Sequence, residues 1–364
     1  MDTFEYISAS HRVVFGTGTL QQLPSMLKTI NATSVLILCT PQQIATAQQV
    51  QSIIGHDVGV AIFSDATMHT PTHITDAAVL VAQEKGVDGI VSVGGGSTVG
   101  LGKAISIRTG LKHLCIPTTY AGSEMTPILG ETENGRKTTR RDIRIIPTSV
   151  LYDTDLFKTL PVNLTVYSGI NAIAHAVEAL YATNRNPIIE LLALEGTRSL
   201  VEALPVLQTD DQNTEARYKA LYGAWLCGMC LGSVDMALHH KLCHTLGGTF
   251  NLPHAETHVV LLPHALAYNA STPATAGAMA KLAGVLPGSE GDAVKGMNAL
   301  YKRLGIDLNL KGLGMAEEGV DEAVDIALAN PYKNPRGLER EGIRELIRRA
   351  WTGEEAGRDT KRLL

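Results

Sequence analysis

Positive charge is in short supply: Lys and Arg number 31 against 36 Asp and Glu, a formal net charge of −5. Nucleic acid and anionic lipid are recognised through clustered positive charge, so neither is expected as a partner. Long apolar runs are missing too. No uninterrupted stretch is long enough to span a bilayer, and Met1 to His11 has neither a basic start nor an apolar core. These absences predict a cytoplasmic protein without a secretory signal or membrane contact. Repeats and low-complexity segments are absent. Cys39, Cys115, Cys227, Cys230 and Cys243 are odd in number, and two lie in apolar strand-like runs, so all five are expected to be reduced. The CxxC of Cys227 and Cys230 stands in LYGAWLCGMCLG with no second pair, which suits a buried helix face better than a metal or redox site.

What remains is ordinary globular composition: 364 residues, 45% hydrophobic, 18% charged and a mean hydropathy of +0.07. That length predicts two packed domains sharing a cleft, the usual place for a small-molecule site. Val35–Cys39, Val58–Phe63 and Gly89–Val93 are short β-branched runs separated by helix-like segments, Gln42–Ile53 and His73–Glu84. His113–Ile116 continues the series, and Ile143–Tyr152 reads as further extended chain. The alternation predicts a Rossmann-like α/β domain with a parallel sheet over residues 1–158. Beyond it, Ser168–Ala182, Ile188–Ala203 and Glu215–Leu231 carry helical periodicity, so residues 159–364 are expected to form an all-α catalytic domain. Pro161 and Asn163 in TLPVN suit a turn at the boundary.

VSVGGGSTVGLGK, from Val91 to Lys103, reads as a strand, a glycine turn and a helix start. Glycines let backbone approach a pyrophosphate, and a helix N-terminus attracts its charge; tight strand-to-helix turns also use glycine for steric reasons alone. The loop is neither GxGxxG nor GxxxxGK[ST]. IPTTYAGS, from Ile116 to Ser123, ends another strand in hydroxyls where open sheets bind ligands, although an ordinary polar loop reads the same way. Candidate cofactor contacts are Gly94, Gly95, Gly96, Ser97, Thr98, Lys103, Thr118, Thr119 and, after VLIL, Thr40. No carboxylate follows VLIL to repel a 2′-phosphate, so NADPH is expected to serve as well as NADH.

Histidines cluster at His239, His240, His244, His254, His258 and His264. On a helix His240 and His244 share a face, and Asn171 and His175 repeat the four-residue spacing. Imidazole both ligates metals and moves protons, so a metal site and a proton-transfer site are both open.

GGGSTVGLGK, IPTTYAGSE, SGINAIAHAVEA, HHKLCHTLGG and LPHAETHVVLLPHALAYN, in this order, resemble the iron-containing (group III) alcohol dehydrogenase superfamily over nearly the whole chain. In detail the pattern is most similar to its maleylacetate reductase branch. The resemblance implies the dehydroquinate synthase-like fold, a homodimer, NADH or NADPH as cofactor and a dicarboxylate substrate whose activated C=C bond is reduced. Metal-dependent relatives hold their ion with an Asp and three His, positions that fall here on Asn171, His175, His240 and His254. The Asp is Asn171 in this chain, the last acid of the family's GGGSxxD is Gly100, and His258 stands where Asn is usual. A neutral amide is a poor substitute for a carboxylate toward a hard cation, so catalysis without a metal is expected. The expected catalytic residues are His244 and His254, polarising the carbonyl and supplying the proton, with His175 and His240 shaping the pocket. Substrate contacts are expected from Tyr120, Ser123, Lys241 and Asn171. Arg136–Arg144 reads either as a solvated hairpin or as a basic strip for substrate capture. A metal-dependent alcohol or aldehyde dehydrogenase, a dehydroquinate synthase-like lyase and a nucleotide sensor are the competing readings.

Overall fold

The structure is a computed structural model and describes residues 4, 6 and 11–358. The chain divides into two compact units between Leu160 and Pro161. The first is wound around a sheet. In chain order it carries β1 (Arg12–Gly16), α1 (Leu23–Thr29), β2 (Val35–Leu38), α2 (Ile44–Ile54), β3 (Gly59–Phe63), α3 (Thr72–Glu84), β4 (Gly89–Gly94), α4 (Gly96–Thr109) and β5 (Lys112–Pro117). A hairpin follows, β6 (Ile128–Glu133) and β7 (Arg136–Arg141), and then β8 (Ser149–Asp153). Six strands form one sheet in the order β1-β8-β5-β4-β2-β3. Every pairing in it is parallel.

Alternation along β2 shows how the sheet is covered on both faces. Val35 and Ile37 pack with α1 and α2 residues such as Leu23 and Val50. Leu36 and Leu38 point the other way, against Ala78 and Ala82 of α3 and Leu101 and Ile105 of α4. Successive strand side chains face opposite sides, so a run apolar at every position is what a doubly covered strand requires. From β2 the chain proceeds outward to β3 and then returns to β4 on the other side of β2. The carboxyl ends of β2 and β4 therefore flank a topological switch point, where open α/β sheets bind ligands.

The extended reading of Ile143–Tyr152 is corrected. Ile143–Ile145 is a turn of 3₁₀ helix capped by Asp142, and only Ser149 onward is strand. The strand β1 was not foreseen, and the hairpin was one of the two readings of Arg136–Arg144. Asn134 and Gly135 join β6 to β7 with φ of 49° and 76°, the paired positive φ values of a type I′ turn.

The second unit contains only helices among the described residues: α5 (Val162–Tyr181), α6 (Pro187–Thr209), α7 (Thr214–Ser233), α8 (Leu238–Phe250), α9 (His254–Ala270), α10 (Ala276–Ala283), α11 (Ala293–Arg303), α12 (Gly319–Ala329) and α13 (Arg340–Thr352). Asn186 and Asn213 cap α6 and α7 by accepting from Ile189 N and Ala216 N. Helix α6 continues past the expected end at Ala203, through Pro205 to Thr209. At Gly196 and Gly223 α6 and α7 approach so closely that a Cβ on either would stand about 3 Å from the other's carbonyl oxygen. Helix α5 is buried without interruption from Gly169 to Tyr181, so its Asn171, His175 and Glu178 are core polar residues. In such a helix the polar positions carry the information. Among the described residues no single helix is long and apolar enough to cross a membrane; α7 and α8 pass only as a pair bent by 91°. All five cysteines are buried and unbridged.

Candidate active site

Gly94 ends β4 with φ 149°, and a Cβ there would stand 2.6 Å from Thr98 Oγ1. Gly95 is equally confined, its Cβ position lying 2.9 Å from Thr119 Oγ1. The chain then enters α4 with Gly95 as N-cap and no side-chain cap, so the first amides of the helix are left for a ligand. Ser97 is half-buried and Thr98 fully buried. Thr118 N donates to Gly94 O, tying the two loops together. The Thr98 and Thr118 hydroxyls are both buried without a hydrogen-bond partner, which a bound nucleotide phosphate or ribose would relieve. Thr40 stands at the carboxyl end of β2, at the switch point, leading a short 3₁₀ turn. A carboxylate does come near this edge: burial first, and the charge of Asp65 second, push the Cys39 thiol up to about 11. Asp65 escaped the sequence reading because it follows β3 rather than β2.

Lys103 corrects an expectation. It is fully buried, and its Nζ donates to Ser123 O at 2.5 Å, Thr126 Oγ1 at 2.9 Å and Ile128 O at 2.9 Å. Those three acceptors use all its N–H groups, so Lys103 staples the 123–128 segment to α4 instead of reaching a cofactor. Burial lowers it to about 8, with Cys115 and Glu124 pulling the other way. The Ser123 carbonyl and hydroxyl both face this ammonium. Tyr120 is 1% exposed, and its ring stacks on that of Phe157 at 5.2 Å. In Arg136–Arg144 the hairpin reading is the observed one: Arg140 pairs with Glu131 and Arg144 with Asp142. At Gly100 a Cβ would stand 2.6 Å from Thr70 Oγ1.

In the second unit three helices each present a pair of side chains at four-residue spacing: Asn171 and His175 on α5, His240 and His244 on α8, His254 and His258 on α9. Ring centroids lie 5.1 Å apart for His175–His240 and for His240–His258, and 4.3 Å apart for His254–His258. His175, His239, His240 and His258 are buried, whereas His244 and His254 are exposed. Burial, reinforced by mutual repulsion, holds His175 and His258 well below the ordinary imidazole range. His239 is lowered to about 4 by burial and by His240. These are neutral rings at neutral pH. His264 lies apart, lining a small gap with Arg349 and Glu345.

Two residues missed in the sequence order this cluster. Glu178 is fully buried on α5; its oxygens accept from Ala237 N at 2.8 Å, His239 N at 2.7 Å and His240 Nδ1 at 2.8 Å. Burial alone would raise its carboxyl, but the bonds from His240 and the Ala237 backbone leave it below its ordinary value. Its signal was present in HAVEA, since Glu178 is three positions from His175 and seven from Asn171, on one helix face. The other is Tyr332, whose hydroxyl meets His244 Nδ1 at 2.9 Å and whose ring lies 5.6 Å from Lys241 Nζ. Reciprocal amide bonds between Asn334 and Asn269 hold this loop to α9. No local pattern connects Tyr332 to α8.

A parallel sheet with a glycine turn at its switch point and a helical unit with clustered imidazoles agree with the oxidoreductase family that the chain matches. The family described as "Iron-containing alcohol dehydrogenase" matches residues 10–154, and "Fe-containing alcohol dehydrogenase family, C-terminal" matches residues 165–351. The chain belongs to the iron-containing alcohol dehydrogenase family. It is 51% identical over 353 residues to a maleylacetate reductase of Burkholderia cepacia, covering 97% of this chain and 99% of that one. The crystal structure of maleylacetate reductase from Agrobacterium tumefaciens superposes with a TM-score of 0.93 at 47% identity, over 98% of this chain and 100% of that one. An iron-containing alcohol dehydrogenase from Corynebacterium glutamicum superposes with a TM-score of 0.92 at 38% identity, over 97% and 98%.

That membership overturns the expectation of a cofactor set without metal, because an iron-containing family implies an iron cofactor. The side chains present fit one. Ring nitrogens of His239, His240 and His258 lie within 4.8 Å of one another. His240 Nε2, His175 Nδ1, both nitrogens of His258 and Asn171 Oδ1 are buried without hydrogen-bond partners. Neutral imidazole is a ligand for iron and zinc alike. His239 Nε2 is already engaged with the His258 carbonyl at 3.0 Å, which leaves the other rings and the Asn171 amide as the donor set.

Proposed function

We propose that this chain is a maleylacetate reductase that uses NADH or NADPH to reduce the C=C bond of maleylacetate, giving 3-oxoadipate. The observation that carries this reading is the full-length similarity to maleylacetate reductases. Bound NADH or NADPH would supply hydride to the alkene carbon distal to the ketone, the displaced electron pair going onto the ketone oxygen as an enolate. A proton then goes to the neighbouring carbon, so one hydride and one proton are added in all. Hydrogen-bond donors placed at the oxygen lower the barrier as that charge develops. His244 and His254, the two exposed imidazoles of the cluster, serve as carbonyl donor and proton source, and Tyr332 orients His244 through Nδ1. His175, His240, His258 and Asn171 would hold the family's metal ion, which when bound supplies Lewis-acid polarisation of the carbonyl. Lys241 and Asn171 offer the substrate carboxylates a cation and an amide.

Gly94, Gly95, Gly96, Ser97, Thr98, Thr118, Thr119 and Thr40 form the nucleotide site in this reading, supported by the orphaned Thr98 and Thr118 hydroxyls. A cytoplasmic homodimer acting on a free dicarboxylate, with neither nucleic acid nor membrane as partner, completes it.

Oxidation of NADH and of NADPH, followed at the nicotinamide absorbance with maleylacetate in one cuvette and a simple aldehyde in another, tests the reading. Rapid turnover of maleylacetate with little aldehyde reduction is expected. The reverse preference would make the chain an alcohol dehydrogenase.

A further inference from the structure

Resting on the reductase reading, we propose that Glu178 is a positioning residue of the active site. Its carboxylate commits His240 to the tautomer with the proton on Nδ1 and the lone pair on Nε2. Glu178 is completely buried. Its two oxygens receive Ala237 N, His239 N and His240 Nδ1, all within 2.8 Å, with His240 N at 3.4 Å. An ionised carboxylate only accepts, so the proton on this bond belongs to His240 Nδ1. The amides come from the start of α8, whose dipole favours an anion there. The group that caps the helix therefore also orients the first histidine of its catalytic face.

The neighbouring ring agrees with this assignment. His239 Nε2 faces the His258 carbonyl, which accepts only, so His239 carries its proton on Nε2 and turns a bare Nδ1 toward His240 Nδ1 at 3.4 Å. Had His240 kept its proton on Nε2, its bare Nδ1 would face two further lone pairs, those of His239 Nδ1 and Glu178 Oε2. With the proton on Nδ1, His240 Nε2 is left bare, buried and without a partner. This atom receives; it does not donate. His240 thus acts as a ligand or acceptor, and donation to the developing enolate falls to His244 and His254.

Nitrogen-15 NMR of the full-length protein with labelled histidine tests this, the His240 signals being identified by their loss in His240→Asn. The wild-type protein should show the His240 proton on Nδ1, shifted downfield by its charged acceptor. Glu178→Gln should lose that proton or move it upfield. It should also lower kcat about tenfold or more with a smaller change in KM for maleylacetate, the usual scale for a group that orients an active-site histidine. In a His240→Asn background the same change should cost less than about twofold, because coupled residues are not additive. A His240 proton found on Nε2 in the wild-type protein, an unchanged His240 signal in Glu178→Gln, or equal kcat losses in both backgrounds would each overturn the proposal. If Glu178→Gln does not fold, the wild-type spectrum and Glu178→Asp, which keeps the charge and should keep the Nδ1 proton, still decide. Failure of the wild-type protein to reduce maleylacetate would overturn the reductase reading and leave the tautomer result standing.

Discussion

His244 and His254 differ from the other imidazoles of the cluster in one physical respect: they are exposed, whereas His175, His239, His240 and His258 are buried. An exposed ring can give up a proton and recover it from water; a buried, desolvated ring serves better as a fixed lone pair. Replacing either exposed ring by Asn should therefore lower kcat by about 10²- to 10⁴-fold, the usual worth of a positioned acid or base. Stability should move by no more than about 0.5 kcal/mol. Steady-state kinetics beside thermal unfolding would check both, and a variant that keeps full kcat would remove that histidine from the mechanism. The pairing of His240 with His244 and of Asn171 with His175 could be read from the sequence, since four-residue spacing on a helix is covalent geometry. Their separation into buried and exposed rings could not, because burial depends on which neighbours arrive.

At the scale of the element, α4 shows the same division. Its glycine entry follows from steric rules, since Gly94 and Gly95 leave no room for a Cβ beside Thr98 and Thr119. Its lysine does not. Lys103 looked like a phosphate contact at the end of the loop, yet it lies two turns into the helix on the buried side, holding three acceptors from the 123–128 segment. Lys103→Met would strand those acceptors away from water, and the expected loss is about 3 kcal/mol, read from the urea midpoint. The affinity for NADH should change by less than about threefold, well under 1 kcal/mol. A large loss of affinity at unchanged stability would return Lys103 to the cofactor. The hairpin β6–β7, one of two readings of Arg136–Arg144, had a sharper signal just ahead of it: Asn134-Gly135 is the dipeptide that a type I′ turn demands.

Across the whole molecule, several histidines in both units are folded away from water in the neutral form. Burial, with Lys103 nearby, brings His113 to about 3. Burial, followed by Arg349, brings His264 to about 4. An unfolded histidine titrates near 6.5, so between about pH 6.5 and about pH 4 the unfolded chain binds protons that the folded chain refuses. Their contribution is complete above that window and declines as the pH falls through it, by about 1.4 kcal/mol per pH unit for each such residue. The unfolding temperature should accordingly drop between pH 7.5 and pH 5, before most carboxylates titrate. A calorimetric midpoint that stays level across this interval would show that these rings protonate in place.

The sequence by itself determined what local chemistry can decide: doubly covered strands from runs apolar at every position, a helical second half from 3.6-residue periodicity, a glycine loop ahead of α4, and side-chain pairs on single helix faces. Only the tertiary structure decided which of these meet. It carried His264 away from the other histidines, gave Lys103 to a neighbouring loop, and brought Glu178 under the start of α8 and Tyr332 against His244. The reason is that spacing within one element is set by bonded geometry, whereas contact between elements is set by the packing of whole faces, and no short stretch of sequence encodes its partner.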